Sequence, residues 1–202
     1  MIRLGVTGGI GSGKSTLARS LERIGQGVVL DADEISRQST APGGVAIAAI
    51  TRSCGSEFIA SDGGLNRTVA RQRAFSDPSF RQILEAFIHP IVRAEIERIE
   101  KECKTRSVPL LIYDIPLLVE SGQWRNRLDQ ILVVDCSEAT QVQRVQSRNK
   151  MQENQVRAIM GMQASRTQRL ACADIVVCND GISLLDLEKE CQQVSTILRC
   201  RN

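Results

Sequence analysis

The 202-residue sequence predicts an α/β fold, a doubly wound parallel sheet with helices on both faces. Three observations carry this expectation. Five short apolar runs stand where strands belong, and helical periodicity fills the spaces between them. The third and fourth runs are continuous rather than alternating, as expected of strands covered on both faces. A glycine-rich segment joins the first run directly to the first helical stretch.

The first run is Ile2-Arg3-Leu4-Gly5-Val6-Thr7. Gly8-Gly9-Ile10-Gly11-Ser12-Gly13-Lys14-Ser15 follows, and it fits the phosphate-loop pattern G-x-x-x-x-G-K-[ST]. Residues 16–21 then read as helix, with Leu17, Leu21 and Ile24 on one stripe. This context gives the spacing a chemical meaning. Glycines let the backbone curl into a nest whose N–H groups point at phosphate oxygens. The helix adds the positive end of its dipole. Lys14 reaches the β- and γ-phosphates, and the Ser15 hydroxyl is placed to ligate Mg²⁺. Gly9, Ile10, Gly11, Ser12, Gly13, Lys14, Ser15 and Thr16 are thus the candidate nucleotide-binding residues, with Lys14 expected to face solvent at an empty site. The plainer alternative is a glycine-rich turn that binds nothing.

Gly27-Val28-Val29-Leu30 is the second run, ending in Asp31-Ala32-Asp33. Residues 34–107 then carry helical patterns and turns. Ala41-Pro42-Gly43-Gly44 and Ser61-Asp62-Gly63-Gly64 are turns. Asp77-Pro78 is a helix cap with proline at the first helical position. Beyond it, Phe80, Ile83, Leu84, Phe87, Ile88 and Ile91 fall at three- and four-residue spacing. Pro90 should kink or restart that helix. Strands resume with Pro109-Leu110-Leu111-Ile112-Tyr113-Asp114 and Gln130-Ile131-Leu132-Val133-Val134-Asp135. The fifth is Ala173-Asp174-Ile175-Val176-Val177, and the last helix covers roughly residues 183–198. The expected organisation is a core of residues 1–33 and 108–202, interrupted by a helical insertion, residues 34–107, that reads as a substrate domain.

Composition narrows the function. The net charge is +3, with no dense cationic stripe of the kind a nucleic-acid binder displays. A small polyanion such as ATP suits this mild excess. The seven cysteines are odd in number, form no C-x-x-C, and accompany a single histidine, His89. That argues for reduced cysteines in a cytoplasmic protein and against a Cys/His zinc site. The chain opens on a strand with no signal peptide. No apolar run approaches the length that spans a membrane. Oligomeric state leaves no signature in the sequence.

Ligands of open α/β sheets bind beyond the carboxyl ends of the strands. Asp31, Asp33, Asp114 and Asp135 should lie there. They can hold Mg²⁺ or take a proton from an attacking hydroxyl, or simply serve as turn and cap residues. Function is the reading for Asp33 and Asp114, and a turn or cap role for Asp135. Arg144 and Arg148 share a helix face, and Lys150, Arg157, Arg166 and Arg169 follow. This is either a lid that clamps a transferring phosphoryl group or a solvated basic helix. Arg67, Arg71 and Arg73 read as a solvated face, and His89 as a packed core histidine.

These residues together resemble the dephospho-CoA kinase family, nearly end to end. The matching stretches are Thr7-Gly8-Gly9-Ile10-Gly11-Ser12-Gly13-Lys14-Ser15, Asp31-Ala32-Asp33, Pro42-Gly43, Leu65-Asn66-Arg67 and His89-Pro90. They continue through Asp114-Ile115-Pro116-Leu117-Leu118-Val119-Glu120, Gln163-Ala164-Ser165-Arg166, and Ala173-Asp174 followed by Asn179 and Gly181. The resemblance implies a P-loop NTPase three-layer fold with a five-stranded parallel sheet, a helical acceptor-binding insertion and a lid at about residues 144–165. It implies transfer of the ATP γ-phosphoryl to the 3′-hydroxyl of dephospho-CoA, with Mg²⁺, as the last step of coenzyme A synthesis. Asp33 then looks like the catalytic base. Lys14 and Arg144 look catalytic, Arg144 and Arg148 like lid arginines, and Asn179 like a nucleotide-site residue. Arg67, His89 and the stretch containing Asp114, Pro116, Leu117, Leu118 and Glu120 would face the acceptor. This reverses the plainer readings of Arg67 and His89. The chain departs from the family at Cys54, where Phe is frequent, and at Ala70, where Leu is frequent. Two other hypotheses stand beside it. One is another P-loop small-molecule kinase acting on a nucleoside, nucleotide or sugar. The other is a regulatory GTP switch, which wants Asn-Lys-x-Asp after a strand. The chain offers only Asn149-Lys150-Met151-Gln152.

Overall fold

The structure, a computed structural model, describes residues 1–122 and 124–200. Five strands form one sheet: β1 (Ile2–Gly8), β2 (Val28–Asp31), β3 (Leu110–Asp114), β4 (Gln130–Asp135) and β5 (Ile175–Cys178). The spatial order is β2-β3-β1-β4-β5. β1 pairs in parallel with β3 (Val6 opposite Asp114) and with β4 (Gly8 opposite Val134). β4 pairs in parallel with β5. β1 is therefore central, and the chain moves to opposite sides of it in its two halves. Such a topological switch leaves a crevice beyond the strand's carboxyl end, where the glycine loop begins.

The chain divides into two compact units, residues 1–30 with 103–202, and residues 31–102. In the sheet unit the apolar runs behave as expected. Leu4, Val6, Ile112, Leu132 and Val134 are essentially inaccessible to solvent. Helix α1 (Lys14–Gly25) offers Leu17, Ala18 and Leu21 to the same core.

The helical unit holds α2 (Ala32–Ser39), α3 (Ile47–Cys54), α4 (Arg67–Ser76) and most of α5 (Pro78–Thr105). Asp31, Asn66 and Asp77 each accept backbone N–H groups at the start of the helix that follows, as short polar caps do. The core of this unit is small, built from Ala46, Ile50, Phe58, Ala70, Phe80 and Leu84. Cys54 packs at its edge, so both departures from the family pattern lie within this one core. Of the two expectations at Pro90, a kink or a restart, the restart is the one that fails. α5 does not restart at Pro90 but runs through it as one helix of 28 residues. Proline removes a single donor to the preceding turn, and the turns on both sides carry the helix across.

The remaining helices belong to the sheet unit: α6 (Leu118–Ser121), α7 (Glu138–Asn149), α8 (Glu153–Gly161), α9 (Arg166–Ala171) and α10 (Leu184–Cys200). α10 packs on α1 and the sheet through Leu187, Cys191, Val194 and Leu198. None of the seven cysteines is in a disulfide. No helix among the described residues is long and apolar enough to cross a membrane.

Candidate active site

The glycine loop leaves β1 at Gly8 and enters α1 at Lys14. Gly13 has φ 92° at the helix cap, a left-handed conformation, and a Cβ there would overlap the Asn179 side-chain amide. Gly9 is needed for a different reason. A Cβ on it would overlap the Gln141 amide and lie 3.1 Å from the Arg169 guanidinium. The loop is held from outside by Asn179, whose amide donates to the Ser12 carbonyl at 2.7 Å, and by Arg144, which donates to the same carbonyl at 3.3 Å. Asn179 is buried and acts on the loop backbone. Ser15 and Thr16 are exposed at the amino end of α1, where helix dipole and first-turn N–H groups favour an anion.

Lys14 does not face solvent as expected. Its ammonium is paired with the Asp114 carboxylate, and the two side chains are only 13% and 4% exposed. The cause is register: Asp114 ends β3 opposite Val6, so its carboxylate lies beside the strand that delivers the loop. Asp114 is thus engaged by Lys14 and presents almost no surface of its own.

Asp135 corrects another expectation, since it is neither turn nor cap. Its buried carboxylate receives the Arg166 guanidinium through three hydrogen bonds of 2.6–3.1 Å. That carboxylate holds Arg166 above its ordinary pKa. Asp180 is held below the usual carboxylate range by hydrogen bonds from Thr140 and Ser137. Arg148 is exposed and donates to Asn149 at 2.8 Å.

Among the residues assigned to the acceptor, Leu118 is 3% exposed and lies beneath Gly5 in the core. Its role is packing. Leu117 is half exposed. Pro116 is partly buried, and its carbonyl accepts from Thr7 at 3.5 Å. Glu120 is exposed and accepts the Ala164 N–H at 2.6 Å.

The helical unit has its own cavity, about 410 Å³, lined by Asp33, Ser36, Arg81, Leu84, Glu85 and His89 among others. His89 is exposed and not packed in the core. Asp33 sits in the first turn of α2, exposed and in no ion pair among the described residues. Asp31 instead spends its carboxylate on the Glu34 N–H, at 2.9 Å. Arg67 is exposed but not merely solvated, since it donates to the Arg37 carbonyl at 3.1 Å and the Thr40 hydroxyl at 3.0 Å. Arg73 pairs with Asp77 at 2.9 Å, within the solvated group expected.

Two residues at the loop escaped sequence reasoning, Gln141 and Gln163, whereas Arg166 and Arg169 stood among the arginines read as either a lid or a solvated helix. Gln163 stood in a matching motif, which was the available signal. Gln141 carried none.

A glycine loop of this form, on the central strand of this sheet, defines a P-loop nucleotide-binding fold. Shikimate kinase from Acinetobacter baumannii shares the fold, with TM-score 0.54 at 15% identity over 98% of this chain and 94% of that one. A family model described as dephospho-CoA kinase matches residues 2–184. Dephospho-CoA kinase of Albidiferax ferrireducens is 48% identical over 96% of this chain and 92% of its own length. That of Burkholderia pseudomallei is 47% identical over 94% and 92%. A crystal structure from Thermus thermophilus superposes with TM-score 0.79 at 34% identity, covering 98% of this chain and 97% of that one. The chain belongs to the dephospho-CoA kinase family, and it is an ATP-dependent phosphotransferase.

Proposed function

We propose that this chain moves the γ-phosphoryl of ATP to the 3′-hydroxyl of dephospho-CoA, giving CoA and ADP. The observation that supports it best is the loop of residues 8–15, with Lys14 enclosed beside Asp114 and Arg144 on the Ser12 carbonyl. Such transfers rest on positioning and on charge stabilisation of the phosphoryl group. Loop N–H groups hold the phosphates. Lys14 exchanges its contact with Asp114 for the β- and γ-phosphate oxygens, where charge accumulates. Arg144 and Arg148, at the start of a lid spanning about residues 144–165, add positive charge and exclude water. Asn179 keeps the loop in shape.

Mg²⁺ fits this arrangement. The exposed Ser15 hydroxyl stands at the helix end, and no cluster of three His, Cys, Asp or Glu occurs among the described residues. Mg²⁺ usually takes one or two protein oxygens and completes its shell with phosphates and water. When bound, it neutralises charge on the phosphates. Ser15 would hold it.

The insertion, residues 34–107, is the acceptor domain in this reading. Asp33, with His89 in the same cavity, accepts the proton of the attacking hydroxyl. Arg67 and Glu120 orient acceptor segments, directly or through the backbone they hold. The enzyme works in the cytoplasm. A coupled ADP-release assay tests the whole reading. Dephospho-CoA should turn over, and adenosine, AMP, gluconate and shikimate should not. Faster turnover of any of those four refutes it.

A further inference from the structure

The turn between α8 and α9 carries a dense set of polar contacts that phosphoryl transfer itself does not require. The Ile10 N–H, within the glycine loop, donates to the Gln163 side-chain oxygen at 2.9 Å. Gln163 is fixed in turn, because its own N–H donates to the Met160 carbonyl at 3.1 Å as α8 ends. The next residue, Ala164, is held twice. Its N–H goes to Glu120 at 2.6 Å, and its carbonyl accepts from Arg169. Arg166 then locks onto Asp135.

Ile10 is gripped by its side chain as well. It packs against Val142, Val145 and Val156, with Met151 and Met160 beside it. Val156 and Met160 belong to α8. Both halves of Ile10, backbone and side chain, are therefore attached to the same proposed lid.

A peptide group next to glycine rotates at low cost. If the Gly9–Ile10 peptide turned, it would carry a carbonyl toward a ligand made of negative oxygens. We propose that Gln163 is a positioning residue for the nucleotide phosphates. It holds the Ile10 N–H, fixes the Gly9–Ile10 peptide together with the Ser12 N–H that donates to the Gly9 carbonyl at 3.0 Å, and couples the lid to the phosphate loop. The lid is then not a free flap, and its position is transmitted to the loop through Ile10. Such preorganisation strengthens binding by removing an ordering cost. The inference rests on reading residues 8–15 as the ATP phosphate site.

The test compares Gln163→Ala, the nearly isosteric Gln163→Met, and Gln163→Glu, which keeps an acceptor oxygen. Two measurements are needed: exchange of the Ile10 amide, resolved by NMR, and ATP affinity by titration calorimetry. One lost hydrogen bond of ordinary net strength corresponds to about a 3- to 10-fold change in an equilibrium. Ile10 exchange should accelerate by roughly that factor in the Ala and Met variants, and ATP should bind weaker by a similar factor. In turnover, KM for ATP should move more than kcat. Gln163→Glu should restore protection of Ile10. Unchanged Ile10 exchange in the Ala and Met variants overturns the proposal. So does unchanged ATP affinity, even with a lowered Tm, since that pattern marks a merely structural residue. If the wild-type protein itself binds no ATP, the reading of the loop fails instead.

Discussion

The sheet unit and the helical unit solve the problem of presenting charge differently. In the sheet unit, charged side chains around the loop are engaged before any ligand arrives. Lys14 is on Asp114, Arg144 on the Ser12 carbonyl, and Asp135 on Arg166. In the helical unit, Asp33 and His89 are exposed at the rim of a cavity, over a core of six buried residues. One unit stores its charges in a preorganised network. The other pairs Arg81 with Glu85 at its cavity but leaves Asp33 in no ion pair among the described residues. A phosphate site gains from fixed dipoles, whereas a proton acceptor must meet a hydroxyl that arrives with the substrate.

The largest effect that would sharpen this contrast is at Lys14. Lys14→Ala should remove nearly all turnover. Because it strands the enclosed Asp114 carboxylate, it should also cost about 3 kcal/mol of stability. Adding Asp114→Asn should recover most of the stability and none of the turnover. Denaturant melts beside the ADP assay check both. If Lys14→Ala leaves stability unchanged, the loop's charges are not stored as described.

Asp33→Asn should behave in the opposite way. kcat should fall by roughly 10²- to 10⁴-fold, the usual range for a general base, with Tm and ATP affinity nearly unchanged. If Asp33 serves Mg²⁺ instead, Mg·ATP should bind more weakly and added Mg²⁺ should restore part of the rate. A Mg²⁺ titration of the variant separates the two roles.

Phe80→Ala tests the thin core. Phe80 stacks against Phe58 with ring centroids 4.5 Å apart. Its loss should cost about 3–5 kcal/mol, as for other buried aromatics. KM for the acceptor should rise while ATP affinity at 20 °C holds. A parallel loss of ATP affinity would show that the two units do not act separately in this respect.

The smallest expected effect concerns the thiols. Burial pushes both Cys136 and Cys191 up to about 11. Their folded pKa lies above the ordinary value of 9.0, so the folded state holds these protons more firmly. Their contribution to stability is complete below pH 9 and fades as pH rises toward 11. Exposed Cys178 and Cys200 should react with iodoacetamide first at pH 8, and Cys136 and Cys191 last. Mass spectrometry of partly labelled protein reads the order.

How much the sequence disclosed follows the same division. β3 and β4 were legible because strands buried on both faces read as unbroken apolar runs, and Asp114 and Asp135 close them as expected. The glycine loop was legible because its spacing is dictated by phosphate geometry. What the carboxylates touch was not. Asp114 meets Lys14 across about a hundred residues of chain, and Asp135 meets Arg166 only because α9 returns beside β4. Spacing encodes the helix face of Arg144 and Arg148, but no local pattern encodes a partner in another element. Leu118 illustrates the converse. It stands in a motif that reads as functional, while its side chain fills the space Gly5 leaves empty. His89 runs in the other direction: its apolar neighbours in sequence pointed to a core, a reading the family resemblance reversed, and its side chain is exposed.

The interruption of the sheet unit by residues 31–102 has a consequence for the order of folding. β1 is made first but pairs with β3 and β4, so it has no sheet partner until residue 110 has been synthesised. Its helix α1 waits longer, since α10 runs to Cys200. The helical unit, by contrast, closes on contacts between near neighbours in the chain, and such contacts form fast. On the ribosome, β1 therefore emerges well before either of its sheet partners. Until they follow, Leu4 and Val6 are exposed apolar surface, so the emerging chain is most open to aggregation at the segment that later carries the phosphate loop.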